Sequence, residues 1–237
     1  MSDPSRGPSA ISGERRNASR EPLSEGQPLL LASGSPRRRE ILANLGVPTL
    51  VVAIDVDETV LPGEAPDAYL VRVVAAKLTA ASRPFAKAAP AGGRGDTLQG
   101  INIAAAAGAV LVADTSVIDG SNILGKPASI QEAETMIARL AGRTHEVWTR
   151  FAIGAAVAPA HTLHEESVMT RVTFRSLTAD RVRAYVASGE GNDKAGAYAV
   201  QGRGAGLVRR IEGSYSNVVG LPACEVILSL ERLGLWS

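Results

Sequence analysis

The stretch that most constrains this chain runs from Leu29 to Leu42, Leu-Leu-Leu-Ala-Ser-Gly-Ser-Pro-Arg-Arg-Arg-Glu-Ile-Leu. Leu29 to Ala32 is a short continuous apolar run bounded by turn residues, the signature of a buried strand. Ser33-Gly34 turns the chain, Ser35 has the form of an N-cap, and Pro36 stands at the first helical position. Ile41, Leu42 and Leu45 supply the apolar stripe of that helix and Gly46 its stop. A strand that feeds a helix through so small a turn leaves backbone N–H groups unpaired at the helix mouth. Together with the helix dipole, those donors suit a phosphate. Arg37 and Arg38 fall in the first turn, where the dipole disfavours cations, and an anion bound there would compensate both. The alternative is that Arg37, Arg38 and Arg39 form only a solvated basic patch. No G-x-x-x-x-G-K-[ST] loop occurs, so a phosphate held here depends on Arg forks rather than on a P-loop.

The 237 residues are enough for one large domain or two small ones with a real core. A formal net charge of +1 provides no global field for nucleic acid or an anionic membrane, and four Tyr and three Phe leave few stacking platforms for bases. The single Cys, Cys224, excludes a disulfide scaffold and a Cys-based zinc site. With no apolar run of membrane-spanning length and no signal-like N-terminus, a soluble cytoplasmic protein is expected.

Residues 1–27 are rich in Ser, Pro, Gly, Arg and Glu and predict a disordered tail ahead of one domain over 28–237. A second strand is expected over Leu50–Ile54, followed by the acidic stretch Asp55-Val56-Asp57-Glu58-Thr59, which taken alone reads as a solvated loop. Pro66 opens a helix whose buried face carries Leu70, Val73, Val74 and Ala81. Lys77 lies on that same face and must either snorkel to water or meet an anion. The Ala/Gly-rich segment 83–108 lacks periodicity and reads as a surface insertion. Ala109–Asp114 is an apolar run ending in an acid, a position typical of a site residue in α/β folds or of a cap on a neighbouring element. Asp119-Gly120-Ser121-Asn122 predicts a hairpin turn, and Lys126 follows in Gly125-Lys126-Pro127. Ser129 and Glu132 form a capping box before Ala133, Met136, Ile137 and Leu140, with Gly142 as the stop. Strands are expected from His145 to about Ala158 and through Val168, Thr170, Val172 and Phe174. A helix follows from Thr178 to about Ser188, and another closes the chain from Pro222. The glycines of Gln201-Gly202-Arg203-Gly204-Ala205-Gly206 permit close backbone approach to a ligand but lack dinucleotide-binding spacing. His145, His161 and His164 have no metal spacing and are assigned to structure or surface.

In order and spacing, these pieces resemble the Maf family of nucleoside triphosphate pyrophosphatases. The matching segments are Leu31 to Arg38, Asp57-Glu58, Lys77, Ala113-Asp114-Thr115, Gly125-Lys126-Pro127, Leu140 to His145, Asp193 to Tyr198, Gln201-Gly202 and Ile211 to Pro222. The resemblance implies a mixed α/β fold: an elongated twisted mixed sheet with flanking helices and two lobes around a cleft, similar to the inosine triphosphate pyrophosphatases. It implies hydrolysis between the α and β phosphates of a nucleoside triphosphate with a divalent metal cation, Mg²⁺ or Mn²⁺. In that reading Ser33, Arg37, Arg38, Lys77 and Lys126 hold the triphosphate, Glu58 and Asp114 hold the metal, and Asp114 is the base for the attacking water. Ala113-Asp114-Thr115, with Arg38 and Gln201, is similar to the branch acting on dTTP and UTP, extending to modified pyrimidine nucleotides. The 7-methyl-GTP branch carries Ser-Asp-Gln-like residues in that place. A non-catalytic nucleotide-sensing regulator of cell division is the rival reading, needing the cradle but not the base. A homodimer, no nucleic acid and no membrane complete the expectations.

Overall fold

In the computed structural model, which describes residues 20–81, 107–156 and 161–237, the Leu29–Ala32 run is strand β1 with all four residues buried. The chain then enters helix α1 (Pro36–Asn44), and β2 (Thr49–Val52) returns parallel to β1. β2 is shorter than the expected Leu50–Ile54, because residues 53–61 leave the sheet as irregular chain. Helix α2 (Pro66–Ala81) buries Tyr69, Leu70, Val73, Val74, Lys77, Leu78 and Ala81 along one face, as its periodicity predicts.

Strand β3 (Ala109–Asp119) joins the two halves of the molecule. Its first three residues pair parallel with β1, Leu29–Leu31 against Ala109–Leu111. It then runs on past the end of β1 and pairs antiparallel with β5 (Thr144–Ala155) along most of its length. Asp114 was expected at a strand end; it lies instead in mid-strand, because antiparallel pairing with Arg150 and its neighbours carries β3 on to Asp119. β4 (Asn122–Leu124) folds back on β3 across the predicted turn. β6 (Thr162–Phe174) and β7 (Val208–Glu212) complete a seven-stranded mixed sheet in the order β2-β1-β3-β5-β6-β7, with β4 beside β3. The remaining helices are α3 (Ile130–Leu140), α4 (Ala179–Val186), α5 (Tyr215–Val219) and α6 (Ala223–Arg232).

The apolar core divides along β3. Leu29, Leu31, Leu42, Ala109, Leu111, Phe151 and Leu230 pack together on one sheet face, and Leu30, Val74, Leu78, Val110 and Val112 on the other. Val117 belongs to a separate cluster with Ile137, Leu140, Val172, Phe174 and Val182 at the far end. Asp114, Thr115 and Ser116 therefore sit at the seam between two bodies of core. The result is a mixed α/β fold with two lobes.

Three local expectations change. Leu45 is 37% exposed and does not extend the α1 stripe, since it caps the helix rather than continuing it. Ser35 makes no side-chain cap bond; its own N–H donates to Ser33 Oγ at 3.2 Å. The predicted tail ends before Gln27, because Leu23 is 7% exposed and its N–H donates to Leu235 O at 2.8 Å. Residues 1–19 lie outside the described residues, as does the 83–108 insertion except for Ala107 and Gly108. Of those two, Ala107 is buried and Gly108 N–H donates to Pro28 O at 3.0 Å.

Candidate active site

A cavity of about 780 Å³ opens at the seam, beyond the end of β1. Ser33, Arg37, Arg38, Glu58, Lys77, Asp114, Thr115, Lys126 and Gln201, drawn from both lobes, all line it. The structure thus brings to one place every residue assigned to the site from the sequence. Sequence reasoning gave no role to Asp55, Tyr69, Asp193 or Lys194, which share the lining. Asp193 and Lys194 stand in a segment already matched, so their place in the motif was the available signal.

The centre is an ion triad. Lys77 Nζ lies 2.6 Å from Asp114 Oδ1 and 2.7 Å from Glu58 Oε1. Lys77 and Asp114 are 7% and 6% exposed, so the α2 lysine meets an anion rather than snorkelling. The Glu58 carboxyl is pushed up by burial, but the Lys77 ammonium outweighs that and, with Lys126 and Arg38 behind it, holds it below its ordinary value. Lys126 Nζ is 3.8 Å from Glu58 Oε2, at a well exposed position on the opposite wall.

Arg38 is only 8% exposed and largely committed to the protein frame. Its Nε donates to Gly220 O at 2.8 Å, and one terminal nitrogen to Ala113 O at 2.9 Å and Ser33 Oγ at 3.2 Å. The other donates to Thr115 Oγ1 at 3.1 Å. Burial pulls its guanidinium below the ordinary value against the opposing charges of Asp114 and Glu58. The fork pins α1, β3 and the end of α5 together. A guanidinium has about five N–H groups, so Arg38 retains roughly one for a ligand. Arg37 is half-buried, lines the cavity and has no ion-pair partner among the described residues, which leaves its whole fork available.

Thr115 rests on a polar ladder. Its hydroxyl lies 3.2 Å from Gly220 O and 2.9 Å from the Thr149 hydroxyl, which lies 3.3 Å from Asn217 O, so two hydroxyl protons are shared among three contacts. Asn217 is fully buried and donates from Nδ2 to Val147 O at 3.0 Å and Thr170 Oγ1 at 2.9 Å. Sequence reasoning gave no role to Asn217, although it stands in the matched segment Ile211 to Pro222, and missed Thr149; on α5 and β5 respectively, they meet Thr115 only through the fold.

Lys77 takes one oxygen from each carboxylate, Oδ1 of Asp114 and Oε1 of Glu58. The second oxygen of each is a hard donor of the kind Mg²⁺ and Mn²⁺ prefer. Among the described residues no group of three or more His, Cys, Asp or Glu converges on a metal position. Two carboxylates suit an ion whose shell is completed by water and a ligand's phosphates.

The Maf-like protein family profile matches residues 28–233. A dTTP/UTP pyrophosphatase of Myxococcus xanthus is 46% identical over 211 residues, covering 87% of this chain and 93% of its own. Proteins of the same name from Hahella chejuensis and Moorella thermoacetica are 42% and 44% identical over 211 residues each, with 88% of this chain covered in both cases and 94% and 97% of theirs. All nine cavity residues predicted from the sequence fall inside these limits, and the chain belongs to the Maf family.

Proposed function

We propose that this protein hydrolyses dTTP and UTP, and modified pyrimidine triphosphates of the same shape, to the monophosphate and pyrophosphate. The observation that carries the reading is the triad of Lys77, Asp114 and Glu58 in one cavity with the unpaired Arg37 fork and the exposed Lys126. A triphosphate brings about four negative charges, and phosphoryl transfer is mostly positioning plus charge stabilisation. Arg37, Lys126 and the first-turn amides of α1 would take the phosphate chain. Lys77 would hold Asp114 and Glu58 at the reacting end. Asp114 would accept the proton of the attacking water. The water adds to one phosphorus of the α–β anhydride, the bond from that phosphorus to the bridging oxygen breaks, and the other phosphate group leaves with that oxygen and the bonding electron pair, giving the monophosphate and pyrophosphate. A divalent cation held by Glu58 and Asp114 would neutralise charge developing on the phosphate oxygens.

Thr115, Gln201 and the Arg38 fork beneath them would set the base preference. The names of the relatives support the pyrimidine choice, as does the Ala113-Asp114-Thr115 triplet. Among the described residues no helix is long and apolar enough to cross a membrane. We extend the proposal to a cytoplasmic homodimer that binds no nucleic acid, in keeping with the formal net charge of +1.

Pyrophosphate release with Mg²⁺ from dTTP, UTP, CTP, GTP and 7-methyl-GTP tests the reading. Turnover of dTTP and UTP ahead of the others is expected. Preference for 7-methyl-GTP overturns the assignment from Thr115, and nucleotide binding without turnover of any triphosphate favours the sensing role.

A further inference from the structure

The glycines after Gln201 approach a carboxylate, and that carboxylate is outside the cavity. Glu190 follows α4 and is absent from the cavity lining. Its Oε1 accepts the N–H of Arg203 at 2.8 Å and its Oε2 the N–H of Gly204 at 2.7 Å. On the other side of Gln201, the N–H of Ala199 donates to the Tyr185 hydroxyl at 3.0 Å. That hydroxyl lies beside Gly204, 3.0 Å from where a Cβ on that glycine would stand. Gln201 is therefore suspended between two backbone anchors, one at Ala199 and one at Arg203 and Gly204. The sequence is fitted to this approach. Gly202 has φ +61°, and a Cβ there would run into Glu190 Oε1; a Cβ at Gly204 would strike Ala199 O and the Tyr185 hydroxyl. Lys194 Nζ donates to the Glu190 carbonyl at 2.5 Å and fixes the segment from behind.

We propose that Glu190, backed by Tyr185, is the positioning residue for Gln201 and through it governs which base the cavity accepts. The inference rests on the pyrimidine-triphosphate reading above. A carboxylate that accepts two successive backbone N–H groups fixes the loop more firmly than neutral acceptors do. A side chain meant to discriminate bases must be held to a fraction of an ångström to be useful. Glu190 makes no contact with substrate in this account, so its loss acts on selection and leaves the chemistry at Asp114 alone.

The test is steady-state kinetics of wild type, Glu190→Ala, Glu190→Gln, Tyr185→Phe, Gln201→Ala and the Glu190→Ala/Gln201→Ala double variant on dTTP, UTP and GTP. Glu190→Ala is expected to raise KM for dTTP about tenfold and cut the dTTP-over-GTP preference by about the same factor, with kcat within about twofold. Glu190→Gln, which keeps one acceptor oxygen, is expected to fall between Glu190→Ala and wild type. The double variant is expected to lose no more preference than Gln201→Ala alone, the signature of one residue acting through the other. A wild-type preference that survives Glu190→Ala, or independent losses in the double variant, overturns the inference and leaves the pyrophosphatase reading standing. If Glu190→Ala does not fold, Glu190→Gln and Tyr185→Phe decide by the same ratio. A wild-type enzyme that turns over neither dTTP nor UTP overturns the reading and this inference together.

Discussion

Arg38 shows how a residue's chemistry can be legible while its task is not. Its place in the first turn of a helix marked it as a cation in need of an anion. The fold instead spends it on Gly220 O, Ala113 O, Ser33 and Thr115, with the first of these 182 positions away in the chain. Arg38→Lys keeps the charge but loses the planar fork that reaches several acceptors at once. It is expected to destabilise the protein by about 2 kcal/mol, as Ala113 O and Gly220 O lose the short guanidinium bonds and keep only the longer contacts from Lys77 at 3.4 Å and Thr115 at 3.2 Å. Chemical unfolding read by circular dichroism measures this, and an unchanged midpoint would show that Arg38 is not a frame residue. Lys77 is the opposite case. Helical spacing placed it on a buried face but left open what lies across from it. The answer, Asp114, is 37 residues further along on β3, and local sequence carries no information about that distance.

Elements held by local rules read most clearly. The α3 cap forms with one change from the expected capping box: Ser129 Oγ accepts from Glu132 N–H at 3.1 Å, but Glu132 Oε2 accepts from the N–H of Ala128, one residue before the N-cap, at 2.7 Å. Ala133, Met136, Ile137 and Leu140 are all buried behind it. Ser129→Ala is expected to cost about 1 kcal/mol, the usual value of an N-cap. A thermal-melt decrease of a few degrees without change in turnover would confirm it, while lost activity would mean that α3 shapes the cavity. β7 and α5 were not legible. Each is five residues long, β7 is an edge strand with no fully buried position, and α5 is too short to show a period. Their formation depends on β6 and on the Asn217 network, both long-range. The end of β3 was misread for the same reason, since Thr115 and Ser116 are polar and only pairing with β5 keeps them in the strand.

At the scale of the molecule, the division of the core along β3 creates the cavity, and nothing in composition announces that seam. The far lobe also carries a pH dependence. His145 is 2% exposed, edge-on to Phe174 and Tyr198, with Nε2 2.8 Å from the Tyr198 hydroxyl. Burial depresses its pKa from 6.5 to about 4, with the charge of Asp119 opposing. Between those values the unfolded chain binds the extra proton, so stability rises with pH across the window and is lost as pH falls through it. The contribution is on the order of 3 kcal/mol. Urea unfolding of wild type and His145→Gln at intervals from pH 7 to pH 4 is expected to show a steeper acid loss in wild type; parallel curves would contradict it. The account's central claim is that one seam, with Asp114 at its centre, splits a pyrimidine triphosphate between its α and β phosphates. The direct measurement is product analysis of dTTP turnover with Mg²⁺ by wild type and Asp114→Asn, alongside equilibrium binding of dTTP to both. The account predicts dTMP and pyrophosphate in equal amounts from wild type, and a rate lower by about 10²–10⁴-fold in a variant that still binds dTTP. Formation of dTDP and phosphate, or full turnover by Asp114→Asn, would contradict it.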